Sequence, residues 1–202
     1  MMVMSVSDKK TIKLTECSVL LALSIVLSFI KIIPMPMGGA VTLLSMLPVM
    51  LVSLKYGFAG GVPCAFVLSL FELFSGIASG NVFVWCTEVR TVIICALFDY
   101  LIPFTVLGFA GMFRKAAAKK RETNRRAADA LLLAGFVIVI AARFCCHFIT
   151  GFTIWGQWAD GQSPYIYSLI YNGQYMLPEC VFTVAGAAVM LKVPVIRRQL
   201  SL

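Results

Sequence analysis

Charge is scarce in this chain. Of 202 residues, 13% are Asp, Glu, Lys or Arg and 60% are hydrophobic, whereas a soluble domain carries about 25% charged residues. With a mean hydropathy of +0.94 the chain cannot clothe a water-facing surface, which excludes a soluble globular protein. Histidine is rarer still, with His147 alone. The seven cysteines (Cys17, Cys64, Cys86, Cys95, Cys145, Cys146 and Cys180) show no CxxC spacing. They read as buried small hydrophobes, not as a zinc site or a disulfide framework. No GxxxxGK[ST] phosphate loop is present, so nucleotide hydrolysis by that route is excluded. No soluble stretch is long enough to hold an attached ATPase. No internal repeat relates the two halves, which weighs against an inverted-repeat transporter.

What the chain has is long apolar blocks. Crossing a hydrocarbon core takes about 20 helical residues, and windows of about that length pick out residues 17–33, 40–54, 58–78, 91–113, 127–155 and 171–195. The expected fold is an all-α integral membrane protein of six transmembrane helices forming one domain over residues 1–202. The second block is short and contains Pro48; the fifth is long enough to tilt or project. The first block has a basic prelude like that of a signal peptide but no convincing small-residue cleavage site, so it is read as a retained helix.

Basic residues fall at the joints. Lys9, Lys10, Lys13, Lys55, the seven bases of RKAAAKKRETNRR (114–126), Lys192, Arg197 and Arg198 make fourteen of the seventeen. Placing them inside puts both termini in the cytoplasm. This distribution makes the formal charge of +8 a topology signal and excludes nucleic acid as a partner. The lipid bilayer is the medium.

Ionisable side chains within a span are costly and point to function. Here they are Glu72, Asp99, Arg143, His147 and Glu179. At ~1.5 Å per residue, Asp99, His147 and Glu179 lie about 12 Å from the outer boundary and Glu72 about 9 Å. In the fifth block Arg143, His147, Gly151 and Trp155 recur every four residues and share one helical face. Gly151 either admits a flat ligand or permits close helix packing, with the ligand favoured. In the sixth block Asn172, Tyr175 and Glu179 share a face, preceded by Tyr167 and Tyr171. Arg143 either contacts ligand or neutralises Asp99 or Glu72. Trp85, Trp155 and Trp158 fall near the outer interface, where tryptophan anchors. Adjacent helical residues point apart, so Cys145, Cys146 and His147 cannot chelate a metal together. A cavity opening outward and lined by carboxylates, aromatic faces and amide or imidazole groups suits a small aromatic cation.

The segments RFCCHFITGFTIW (143–155) and YSLIYNGQYMLPE (167–179) resemble the thiamine-specific substrate-binding (S) component of energy-coupling factor vitamin transporters. So do GGAVTLLSMLPVML (38–51), the FDY at 98–100 and LGFAGMFR (107–114). The similarity extends over nearly the whole chain, from LTECSVLLAL (14–23) onward. It implies a six-helix membrane fold in the bacterial plasma membrane, with thiamine bound near the outer surface and no cofactor. It further implies as partners a transmembrane scaffold component and two cytoplasmic ATPases, with the S component toppling in the bilayer to deliver its cargo. By motif position Asp99 looks like the acidic residue that binds the thiamine ring system, and Tyr100 like its neighbouring contact. His147, Gly151 and Trp155 look like the histidine, glycine and stacking tryptophan of helix five. Tyr167 and Asn172 match the tyrosine and asparagine before helix six, and Arg143 is a basic position one turn below.

Glu179 joins the ligand-binding set on its place in the sixth block. Ser18-x-x-x-Ala22 resembles the Ala-x-x-x-Ala motif that contacts the scaffold; from spacing alone the pair serves either internal packing or a partner's helix. The chain departs from the family where some members have glutamate at Asp99 and tryptophans at Gly38-Gly39 and Leu68, which bears on affinity and analogue discrimination more than on vitamin class. The expected function is high-affinity capture of thiamine (vitamin B1) for ATP-driven uptake. The alternatives are an S component for another vitamin or a thiamine precursor, or an intramembrane enzyme using His147 with Asp99. No recognisable nucleophile accompanies that pair.

Overall fold

The computed structural model describes residues 6–80 and 86–200; Trp85 lies outside the described residues. Helix α1 (Val6–Ser28) begins before residue 17 and stops short of residue 33. Past Ser28 the chain reads Phe-Ile-Lys-Ile-Ile-Pro-Met-Pro. Proline withholds a ladder N–H and drives its predecessor toward extended backbone, and two of them in three residues favour a turn over a further helical turn. Strands β1 (Lys31–Pro34) and β2 (Ala40–Thr42) pair antiparallel, Ile33 opposite Val41 and Pro34 opposite Ala40. Between them Met37 and Gly38 turn at φ 59° and 95°. This hairpin corrects the expected spans 17–33 and 40–54, whose facing ends it occupies.

Helix α2 (Leu47–Tyr56) has ten residues, with Leu47 through Leu54 all buried. At ~1.5 Å per residue it measures about 15 Å, too short to cross a bilayer alone. It forms the centre of the core, where Met46, Val49, Met50, Val52 and Leu54 meet Leu107, Leu132, Phe136 and Met176. Gly57, at φ 65°, turns the chain directly into α3 (Phe58–Ala78).

The fourth apolar run is broken. Helix α4 (Val89–Cys95) passes into a wide π turn (Ala96–Leu101), then α5 (Ile102–Thr105) and a 3₁₀ turn (Val106–Phe109). Pro103 has no N–H to give to the Asp99 carbonyl four residues back, so the α ladder is interrupted where Asp99 and Tyr100 sit. The basic helix α6 (Arg114–Arg121) follows, and Asn124 caps α7 (Arg125–Thr153) by accepting from the Ala127 N–H at 3.0 Å. Helix α8 (Pro164–Lys192) packs along α7, and α9 (Pro194–Gln199) ends the described chain.

Among the described residues five helical runs are long and apolar enough to cross a membrane: Ser7–Ser28, Phe58–Ala78, Val89–Arg121, Arg125–Thr153 and Pro164–Lys192. The bases gather at one end of them. Lys13 and Lys55 both lie 5.4 Å from the Tyr56 ring. Ser53 ties the end of α2 to the Gly108 carbonyl and Gly111 N–H, at 2.5 and 2.9 Å, just ahead of α6. Arg197 forks onto both Asp129 oxygens at 2.9 Å. The hairpin lies at the opposite end.

Candidate functional site: a carboxylate-lined aromatic cavity

A cavity of about 360 Å³ opens beside the hairpin, within the size range of small-molecule sites. Its walls come from the ends of α1 and α3, the π turn, the last turns of α7 and the first half of α8. All nine expected ligand-binding residues line it: Asp99, Tyr100, Arg143, His147, Gly151, Trp155, Tyr167, Asn172 and Glu179.

Asp99 is the most heavily bonded of them. Its Oδ1 accepts from the Thr150 hydroxyl and lies 3.1 Å from His147 Nδ1, while Oδ2 accepts from Trp155 Nε1 at 3.0 Å and from the Cys95 thiol at 3.5 Å. Arg143 Nε donates to His147 Nε2 at 3.3 Å. A guanidinium can only donate, so Nε2 is the bare nitrogen and Nδ1 carries the proton that faces Asp99. The imidazole is therefore neutral and fixed in one tautomer. Arg143 also lies 4.1 Å from the centre of the Phe104 ring. Its direct partners are His147 and Phe104; it makes no close salt bridge to Asp99 or Glu72, although its charge bears on Glu72.

Gly151 has a packing reason. A side chain there would run into the Ser168 hydroxyl and the Asn172 amide, so the glycine lets α7 and α8 touch where it lines the cavity wall. Asn172 Nδ2 donates to the His147 carbonyl at 3.1 Å and the Ser168 carbonyl at 2.9 Å, and Oδ1 accepts from Tyr175 at 2.8 Å. It stitches the two helices behind the histidine. Tyr100 lies against Gly76 of α3, where any side chain would overlap its ring.

Tyrosines hold the hairpin over the cavity. The Tyr171 hydroxyl donates to the Pro36 carbonyl and the Tyr167 hydroxyl lies 3.5 Å from Met37 Sδ. Their rings stack at 5.9 Å, and Gly39 has no side chain where one would press on Tyr171 and Tyr175. Below them Glu179 Oε1 accepts from the Thr42 N–H and, at 2.6 Å, from its hydroxyl.

Sequence reasoning missed Thr150, Thr42 and Ser45 as parts of this wall. Thr150 stands three residues past His147, a spacing that was readable; nothing local marked Thr42 and Ser45, which arrive with the hairpin. The expected partner residues Ser18 and Ala22 sit elsewhere, side by side on the exposed face of α1.

Residues 14–196 match the model of a family described as thiamine transporter protein (Thia_YuaJ). The chain is 29% identical to the thiamine transporter ThiT of Bacillus subtilis, over 86% of this chain and 87% of that one. It is 27% identical to ThiT of Lacticaseibacillus paracasei, over 92% and 89%. A solved structure of ThiT from Listeria monocytogenes, 23% identical, superposes with a TM-score of 0.75 over 95% of this chain and 98% of that one, so the two share a fold. This chain therefore belongs to the thiamine transporter protein family and is a multi-pass protein of the bacterial cell membrane, not an enzyme.

Proposed function

We propose that this protein is the high-affinity thiamine-capturing S component of an energy-coupling factor uptake system. The observation that carries the reading is the charge and shape of the cavity. Three carboxylates (Glu72, Asp99, Glu179) outnumber two cations (Lys31, Arg143) among the aromatic rings of its wall. A flat monocation such as thiamine complements that balance. The names of the relatives in Bacillus subtilis and Lacticaseibacillus paracasei point the same way.

In this reading all nine expected residues serve the ligand, some by contact and some by holding the wall. The hairpin and α2 together make one pass, giving six passes in a single domain with both termini at the basic, cytoplasmic end and the cavity facing out. Binding needs no cofactor. Uptake then requires a transmembrane scaffold, met through the Ser18 and Ala22 face of α1, and two cytoplasmic ATPases.

Titrating the detergent-purified protein with thiamine, followed by intrinsic tryptophan fluorescence, tests the reading. Saturable quenching at submicromolar thiamine is expected, with Trp155→Ala and Asp99→Asn each weakening binding by about 100-fold or more. Folded protein that ignores thiamine would overturn it.

A further inference from the structure

The three cavity carboxylates are not equivalent. Asp99 already has protein donors on both oxygens. Glu72 Oε1 and Glu179 Oε2 are buried and meet no donor at all. Glu179 is 3% exposed, with its other oxygen engaged by Thr42. Ser28 and the charges of Lys31 and Arg143 bear on Glu72, yet none of them reaches Oε1.

Folded proteins rarely leave a buried carboxylate oxygen unmet, because the lost hydration goes uncompensated. Here two such atoms belong to side chains of one cavity, on α3 and α8, with Arg143 the cation that bears on both. A purely structural glutamate would be expected to find its donor within the fold, as Asp99 does.

Resting on the thiamine reading above, we propose that Glu72 is a ligand-contact residue and, with Glu179, forms a second acceptor pole of the cavity. This pole receives a hydrogen-bond-donating group of the ligand. Thiamine carries two such groups at opposite ends, the amine of the pyrimidine and the terminal hydroxyl. Asp99, saturated by four protein donors, orients Trp155, His147 and Thr150; Glu72 has the free valence. The pole also sets specificity, since a ligand without the donor leaves the carboxylate unmet.

The test is calorimetric titration of the full chain and Glu72→Gln with three ligands: thiamine, its analogue lacking the terminal hydroxyl, and its analogue with a carbonyl in place of the pyrimidine amine. Glu72→Gln is expected to weaken thiamine binding by about 10- to 100-fold and to leave unchanged the affinity for whichever analogue lacks the group that Glu72 receives. A thiamine affinity within about twofold of the parent or tighter, or an equal loss for all three ligands, overturns the proposal. Should Glu72→Gln fail to fold, Glu72→Asp keeps the charge with a shorter reach and is held to the same pattern. A parent protein that does not bind thiamine removes the underlying reading, and the inference with it. A parent that binds thiamine beside an indifferent Glu72→Gln removes the inference alone.

Discussion

At the scale of single residues, the site is built by side chains that hold one another. Gly151 shows how tightly: a methyl group there meets Ser168 and Asn172, and Asn172 in turn secures the backbone behind His147. Gly151→Ala is expected to lower stability by about 1–3 kcal/mol, seen as a reduced thermal midpoint, and to weaken thiamine binding. Adding Ser168→Gly, which clears the opposing side chain, should recover part of both losses. The spacing of Arg143, His147, Gly151 and Trp155 was legible in the sequence because four-residue recurrence fixes a helical face. The hydrogen bonds were not. Periodicity says which way a side chain points but not which donor reaches a carboxylate on another helix, so Asp99 and Trp155 were recognised separately and their 3.0 Å bond was not.

At the scale of elements, two irregularities shape the cavity. In the first, the hairpin of residues 31–42, hydropathy windows averaged a turn rich in proline and glycine together with its apolar neighbours, and two spans were drawn into it. The local signals were there: two prolines two residues apart, then a pair of glycines. The second is the π turn at Ala96–Leu101. Pro103→Ala restores an N–H to the Asp99 carbonyl and lets a regular α ladder close. The expected result is weaker thiamine binding by about 10-fold or more with an unchanged or raised thermal midpoint, since helix propensity improves as Asp99 shifts. Binding that survives intact would show that the wide turn is not what positions the carboxylate. The spans on α3 and α7 were readable to within two residues of their ends, whereas α8 starts at Pro164, seven residues before the expected 171, because Tyr165, Tyr167 and Ser168 dilute the apolar pattern of its first two turns.

At the scale of the whole molecule, α1 stands apart. Leu14, Val19 and Val26 are 58–69% exposed, while its inner face packs Cys17, Leu20, Leu21 and Ile25 on the core and is tied by Ser24, which accepts from the Val49 N–H at 3.2 Å, and by Glu16, which pairs with Lys55. Ser18→Leu with Ala22→Leu, placed on the exposed face, is expected to leave thiamine affinity unchanged and to abolish uptake of labelled thiamine by cells. Lost affinity would mean that this face supports the fold and not a partner. The molecule is also electrically lopsided. Most of its bases crowd one end, through α6, the start of α7 and α9, while the cavity carboxylates lie at the other. Each elementary charge moved across a membrane held at 100 mV changes the energy by about 2.3 kcal/mol. The Arg and Lys residues of 114–126 would together make inversion prohibitive, whereas a tilt that keeps them at their own surface moves almost no charge through the field. With the basic end held at the cytoplasmic surface, as proposed above, the charge distribution opposes capsizing and leaves leaning nearly free of electrical cost.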